Sequence, residues 1–208
     1  MKRLLARFYF AFRSPYSWIG ARLLEARFPD AYIQMEYIPF WDPDDHSLAL
    51  LHNLGGEYLY TPMSKAKHLY ILLDIKRLTT RLGYVMKWPI DANPWWDLPN
   101  LAYLRAGHLG KGHAFLRAAY RARWERGENI FTEEAICRLA AEVALDADLL
   151  LAAVDDEEVR AEAAAMLYRA YQDDVFGVPY YKVGHQRFWG IDRFEAFASC
   201  FDAILESS

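Results

Sequence analysis

Phe8-Tyr9-Phe10-Ala11-Phe12-Arg13-Ser14-Pro15-Tyr16-Ser17-Trp18-Ile19-Gly20 joins an apolar run to a helix start. The five residues Phe8 to Phe12 show no polar alternation, the pattern of a strand buried on both faces. Ser14 followed by Pro15 reads as a helix N-cap with proline at the first helical position. The Ser14 hydroxyl is therefore expected at the positive end of a helix. Unpaired backbone N–H groups and the macrodipole favour an anion there, a thiolate among them. The same serine also serves as an ordinary cap, and the sequence leaves both roles open.

Working outward, an amphipathic helix is expected from Pro15 to Phe28, with Trp18, Ile19, Leu23 and Leu24 on its apolar side and Pro29-Asp30 as its stop. Tyr32 to Pro39 reads as a second strand. Trp41 to Tyr60 is rich in turn residues and is expected to be a loop near a site or a short irregular helix. A long helix then starts near Pro62 and ends at Gly83, with Leu69, Leu72, Leu73, Ile75 and Leu78 as its apolar positions. Beyond the breaker-rich stretch Asp91 to Pro99, helices are expected over Leu101–Ala106, His113–Arg126, Glu133–Ala144 and Ala147–Val154. Asp155 with Glu158 resembles a capping box opening a further helix to Tyr171. Tyr180 to Val183 and Gln186 to Trp189, joined by Gly184-His185, read as a β-hairpin, and a last helix runs from Asp192 to Leu205. The order is βαβ, helical insertion, ββα. This is an α/β chain with the thioredoxin-like arrangement: a single domain over 1–208, a core from 1–40 and 172–208, and a loop and helical insertion over 41–171.

Composition narrows the function class. Of the 208 residues 54% are hydrophobic, so a sizeable core can form, and the formal charge of −4 lacks the basic footprint of a nucleic-acid binder. Arg105, Lys111, Arg117, Arg121, Arg123 and Arg126 read as the wet face of helices, with an anionic partner or substrate channel as the other reading. Cys137 and Cys200 are far apart and fit neither a redox dithiol nor a metal site, and the six histidines show no ligand or triad spacing. The opening Met-Lys-Arg-Leu-Leu-Ala-Arg faintly resembles a signal peptide, but Arg7 and Arg13 interrupt its apolar run. A cytoplasmic chain without a membrane span is expected.

Four motifs carry a family resemblance. Ser14-Pro15-Tyr16-Ser17 stands where DsbA-like thioredoxin-fold proteins have Cys-Pro-x-Cys, and Phe176-Gly177-Val178-Pro179 resembles their cis-proline motif. Lys67-x-x-Tyr70-x-x-x-Asp74, Val178-Pro179 and Phe188-Trp189-Gly190-x-Asp192-Arg193 together resemble the 2-hydroxychromene-2-carboxylate isomerases and the kappa-class glutathione transferases, in order from Phe8 to Phe197.

The resemblance implies glutathione as an external thiol. Ser14 would hydrogen-bond its thiolate, and the backbone at Val178 and Pro179 would pair with its peptide. Lys67 would meet the glycine carboxylate, and Asp192 the γ-glutamyl ammonium. At position 191, where the family commonly has a small polar residue, this chain has Ile191, and the loop before Lys67 shows Gly55-Gly56 in place of the family's Gly-Asn. A serine hydroxyl cannot cycle through a disulfide, which argues against a dithiol oxidoreductase. In the isomerase, glutathione adds to a conjugated bond, the product rotates, and elimination regenerates the thiol. The resemblance also implies a homodimer acting on a small aromatic substrate, with Trp41, Trp88, Trp95, Trp96 and Trp189 as candidates to line an apolar cleft or fill the core. A transferase and a non-catalytic thioredoxin-fold binding module are the alternatives.

Overall fold

The computed structural model describes residues 6–206; most of the opening signal-like segment lies outside them. A mixed four-stranded sheet has the order β2-β1-β3-β4, built from β1 (Ala6–Phe10), β2 (Met35–Pro39), β3 (Tyr180–Val183) and β4 (Gln186–Trp189). β1 runs parallel to β2 and antiparallel to β3, and β3 is antiparallel to β4. The unbroken apolar run suits β1 because that strand is internal: Phe8, Tyr9 and Phe10 are fully buried. β4 is an edge strand, and it carries the exposed polar residues Gln186 and Arg187.

Side chains in register divide the sheet into two faces. Phe8 lies opposite Tyr37 and Tyr181. Its ring stacks on Tyr181, which in turn stacks on Phe197 of the last helix, α10 (Phe194–Glu206), with centroids 5.2 and 4.6 Å apart. The first helix, α1 (Pro15–Arg27), packs beside α10 through Phe28 against Phe197 and Phe201. On the other face, the Tyr9 and Tyr180 hydroxyls reach Asp173, which ends the helix of residues Glu157–Gln172 (called α9 below). Asp173 also accepts from Arg7 at 2.6 Å and Lys182 at 2.5 Å. Burial acts to raise its pKa, but the bonds from Lys182, Tyr9 and Arg7 outweigh burial and hold it below the usual carboxylate range.

The remaining helices complete the body: α2 (Ala31–Gln34), α3 (Asp45–Asn53), α4 (Lys65–Leu82), α5 (Asp97–His108), α6 (Gly112–Tyr120), α7 (Glu133–Glu142) and α8 (Ala147–Leu151). Among the described residues no helix is long and apolar enough to cross a membrane.

Several local expectations are corrected. β1 ends at Phe10, and the first half of the expected second strand is the one-turn helix α2. The turn-rich segment takes the helical one of its two expected forms, as the regular α3, because Asp44 is its N-cap and accepts from Ser47 N–H at 2.8 Å. Asp156, rather than Asp155, caps α9. The helix beyond α6 gives way to a π-helical turn over Arg121–Glu125. Arg123 does not sit on a wet face. It is 2% exposed, makes two bonds to Asp91 at 3.0 and 2.6 Å, and lies over the Trp96 and Trp124 rings. On α4 only Ile75 and Thr79 are buried, so Leu69, Leu72 and Leu73 are exposed and not part of the core.

Candidate functional site at the carboxyl edge of the sheet

Because β1 and β2 are parallel and β3 is antiparallel to β1, one edge of the sheet gathers the end of β1, the end of β2 and the beginning of β3. Arg13 and Ser14 follow β1, Asp42 follows β2, and Val178–Pro179 precedes β3. Trp189, which pairs with Tyr180, brings Gly190, Ile191 and Asp192 to the same edge. Crevices at such an edge are where sheets of this kind take ligands.

Ser14 is the N-cap of α1, with extended backbone and an Oγ that accepts from Ser17 N–H at 3.1 Å. That bond uses an acceptor lone pair, so the hydroxyl proton remains available to an incoming anion. Ser17 Oγ accepts from Ala11 N–H at 3.2 Å, and its full burial keeps that hydroxyl from an incoming ligand. The Val178–Pro179 peptide bond is cis. The β1–β3 pairing ends at Tyr9–Tyr180, so the Val178 backbone lies beyond the ladder, while Pro179 C=O accepts from Gly190 N–H at 2.9 Å. Gly20, on the second turn of α1, faces this segment: a Cβ there would lie 3.3 Å from Pro179 Cβ and well inside contact distance of the Tyr181 hydroxyl. The Trp189 indole rests on Gly177, where a Cβ would come within 2.9 Å of Nε1, and its ring packs against Phe176.

Lys67 lies in the first turn of α4; its N–H donates to Ser64 Oγ at 3.2 Å, and its exposed ammonium makes no ion pair among the described residues. Tyr16 ties α4 to the Ser14 turn by donating to Asp74 Oδ2 at 2.7 Å. Burial, and then the bond to Asp74, raise the Tyr16 phenol well above its ordinary value, so it remains a donor. Ile191 packs against the core, and Asp192 is exposed with its carboxylate on Arg193 at 2.8 Å. Asp192 sits in a short 3-10 turn before α10 and not in α10 itself.

The tryptophans divide between core and surface. Trp41 and Trp96 are buried, Trp88 packs edge-on to Trp124, Trp95 donates to Asp44 at 3.2 Å, and Trp189 alone of the five sits beside Val178–Pro179.

Two arrangements were not anticipated from the sequence. Arg160 is 4% exposed and donates to both Asp44 oxygens and to Ser47 Oγ at 2.9 Å and to Val154 C=O at 2.7 Å, with Asp97 at 3.5 Å. Burial raises the Asp97 pKa. Burial also acts to raise that of Asp44, but Ser47 N–H, Arg160 and Trp95 hold it below its ordinary value. This cluster fixes the starts of α3 and α5 against α9. Arg13 forms an ion pair with Asp42, lies 4.3 Å over the Tyr60 ring, and donates to Tyr58 Oη at 3.4 Å.

Fold and edge together define a thioredoxin-fold protein whose first-helix turn carries hydroxyls in place of thiols. Residues 7–202 match the DsbA-like thioredoxin domain, and the chain belongs to that family. It is 28% identical over 195 residues to the 2-hydroxychromene-2-carboxylate isomerase of Sphingobium xenophagum, covering 92% of this chain and 95% of that protein. A solved structure of a 2-hydroxychromene-2-carboxylate isomerase superposes with a TM-score of 0.77 at 19% identity, covering 97% and 96% of the two chains. The cytosolic disulfide reductase DsbM from Pseudomonas aeruginosa, solved with GSH, gives a TM-score of 0.62 at 19% identity over 97% of each chain.

Proposed function

We propose that the protein is a glutathione-dependent isomerase of a 2-hydroxychromene-2-carboxylate-like aromatic compound, with Ser14 holding the thiolate. The observation that carries this reading is the Ser14 hydroxyl. It caps α1 at the carboxyl edge of the sheet with its proton free, in a turn whose second hydroxyl, Ser17, is fully buried and out of a ligand's reach. Neither cysteine belongs to this turn: Cys137 is on α7 and Cys200 on α10. Bound glutathione supplies a sulfur nucleophile that adds reversibly to a conjugated bond.

The chain's residues have separate tasks. Ser14 and the α1 N-terminus lower the cost of the sulfur's negative charge. The backbone at Val178, just outside the β1–β3 ladder, offers strand-like pairing to the peptide. Lys67, which makes no ion pair among the described residues, takes the glycine carboxylate. Asp192 must exchange Arg193 for the γ-glutamyl ammonium, and Ile191 offers only its backbone, so this end is held less firmly than the sulfur. Trp189 and Phe176 form an apolar wall beside Val178 for an aromatic ring. The reading further implies a cytoplasmic homodimer that does not run dithiol chemistry.

The test is calorimetric titration of glutathione into wild type, Ser14→Ala and Ser14→Gly, with ultraviolet absorbance of the bound thiolate. Glycine nearly preserves capping whereas alanine does not. Wild type is expected to bind with a thiolate signal and to isomerise a chromene carboxylate, and both variants are expected to lose the signal equally. Absence of binding at millimolar glutathione would sink the proposal and leave a thioredoxin-fold binding module.

A further inference from the structure

We infer that Arg13 recognises the carboxylate of the second substrate, with Asp42 occupying that position until the substrate arrives. The inference rests on the isomerase reading for the substrate's chemistry, but its geometry stands on its own. Arg13 immediately precedes Ser14, so its cation is fixed to the turn proposed to hold the sulfur. Its side chain is 22% exposed, enough for a ligand to reach. Tyr60 supports one face of the guanidinium, and Tyr58 accepts a long bond from Nη2. This planar, aromatic-backed fork suits bidentate binding of a carboxylate.

Asp42 is the more exposed partner, at 41%, and makes no other ion pair among the described residues. An ion pair at such exposure contributes little to stability, so separating Asp42 from Arg13 costs little, and the displaced carboxylate is exposed enough to be taken up by water. Asp42 and Tyr58, both partners of Arg13, also line an open cleft of about 680 Å³, walled by Pro43, Leu48, His52 and Glu57. That volume falls in the range of small-molecule sites. Its floor is close-packed at Gly56, where a Cβ would come 2.5 Å from Leu51 Cδ1 and 2.8 Å from Tyr168 Cδ2. The carboxylate of a small aromatic acid therefore has a place on Arg13, separate from the apolar wall of Trp189 and Phe176 proposed for its ring.

The probes are trans-benzylidenepyruvate and its methyl ester, titrated into the glutathione-loaded and glutathione-free protein. Wild type is expected to prefer the acid, and Arg13→Gln to remove roughly ten- to hundredfold of that preference while leaving ester binding unchanged. Asp42→Asn, which keeps Arg13 in place, is expected to tighten the acid several-fold and not the ester. A purely structural role for Arg13 would weaken acid and ester alike.

An acid-to-ester ratio unchanged in Arg13→Gln overturns the inference. So does a loss of glutathione affinity in that variant with the ratio intact, which would assign the cation to the thiol's own carboxylate. If wild type binds no glutathione yet shows the Arg13-dependent preference, the isomerase reading fails and the carboxylate site stands.

Discussion

Gly20→Ala tests whether α1 is seated against the Val178–Pro179 segment as closely as the structure shows. The new methyl would meet Pro179 Cβ at 3.3 Å and overlap the Tyr181 hydroxyl. Tyr181 has little room to yield: it is fully buried, and its ring is stacked between Phe8 at 5.2 Å and Phe197 at 4.6 Å. Overpacking of this kind costs about 1–3 kcal/mol, set against about 1 kcal/mol that alanine contributes over glycine inside a helix. Tyr181→Phe removes the overlapping oxygen and leaves the stack in place. In that background Gly20→Ala should keep its helical advantage and lose most of its steric cost. The four proteins of the cycle are expected to show a coupling of about 1–2 kcal/mol. Urea unfolding measures it directly, and thermal melting should move by about 2–4 °C per kcal/mol for a chain of this size. Equal effects of Gly20→Ala in both backgrounds, within about 0.5 kcal/mol, would refute the packing argument.

Arg160→Met should cost about 3–5 kcal/mol in chemical denaturation, because Asp44 and the buried Asp97 lose their common cation. A loss below about 1 kcal/mol would show that the pair does not depend on it. Asp173, held below the usual carboxylate range in the folded state, contributes stability that is complete above that range and is lost as pH falls through it. The gap in melting temperature between wild type and Asp173→Asn should therefore be widest near neutrality and close in acid; a gap that does not change with pH would contradict the assigned bonds.

The parts of the fold legible in the sequence are those fixed by local rules. The buried strand at Phe8 to Phe10, Ser14-Pro15 and the Tyr180 to Trp189 hairpin each state their structure through burial, capping and turn chemistry, although the apolar run continues to Phe12 past the end of β1. α3 was obscured because Asp42-Pro43-Asp44-Asp45 signals a turn and a helix start with the same residues. The apolar spacing of α4 has the helical period, yet it does not say which side is covered: Ile75 is buried, and Leu69 and Leu73 are not.

At the candidate site, Ser14 and Val178–Pro179 could be found from motifs. The Tyr16–Asp74 and Arg13–Asp42 contacts could not, because each joins residues whose meeting is decided by the path of the sheet. Arg123 was misplaced for a related reason. Its charge suggested water, whereas Asp91 and two indoles provide it with a buried setting.

The neighbours of β1 come from opposite parts of the chain: Ala6 pairs with Met35 on one side and Val183 on the other. During synthesis the β1–β2 pair can form early, but its second edge waits while residues 40–179 are made. At about 5–20 residues per second this takes roughly seven to thirty seconds. Throughout that interval Phe8, Tyr9 and Phe10 present an unpaired, strongly apolar strand edge, the kind that recruits other chains. Fragments ending before Tyr180 should therefore aggregate, and the ribosome-bound chain should depend on chaperones that shield its N-terminal strand until the C-terminal hairpin emerges.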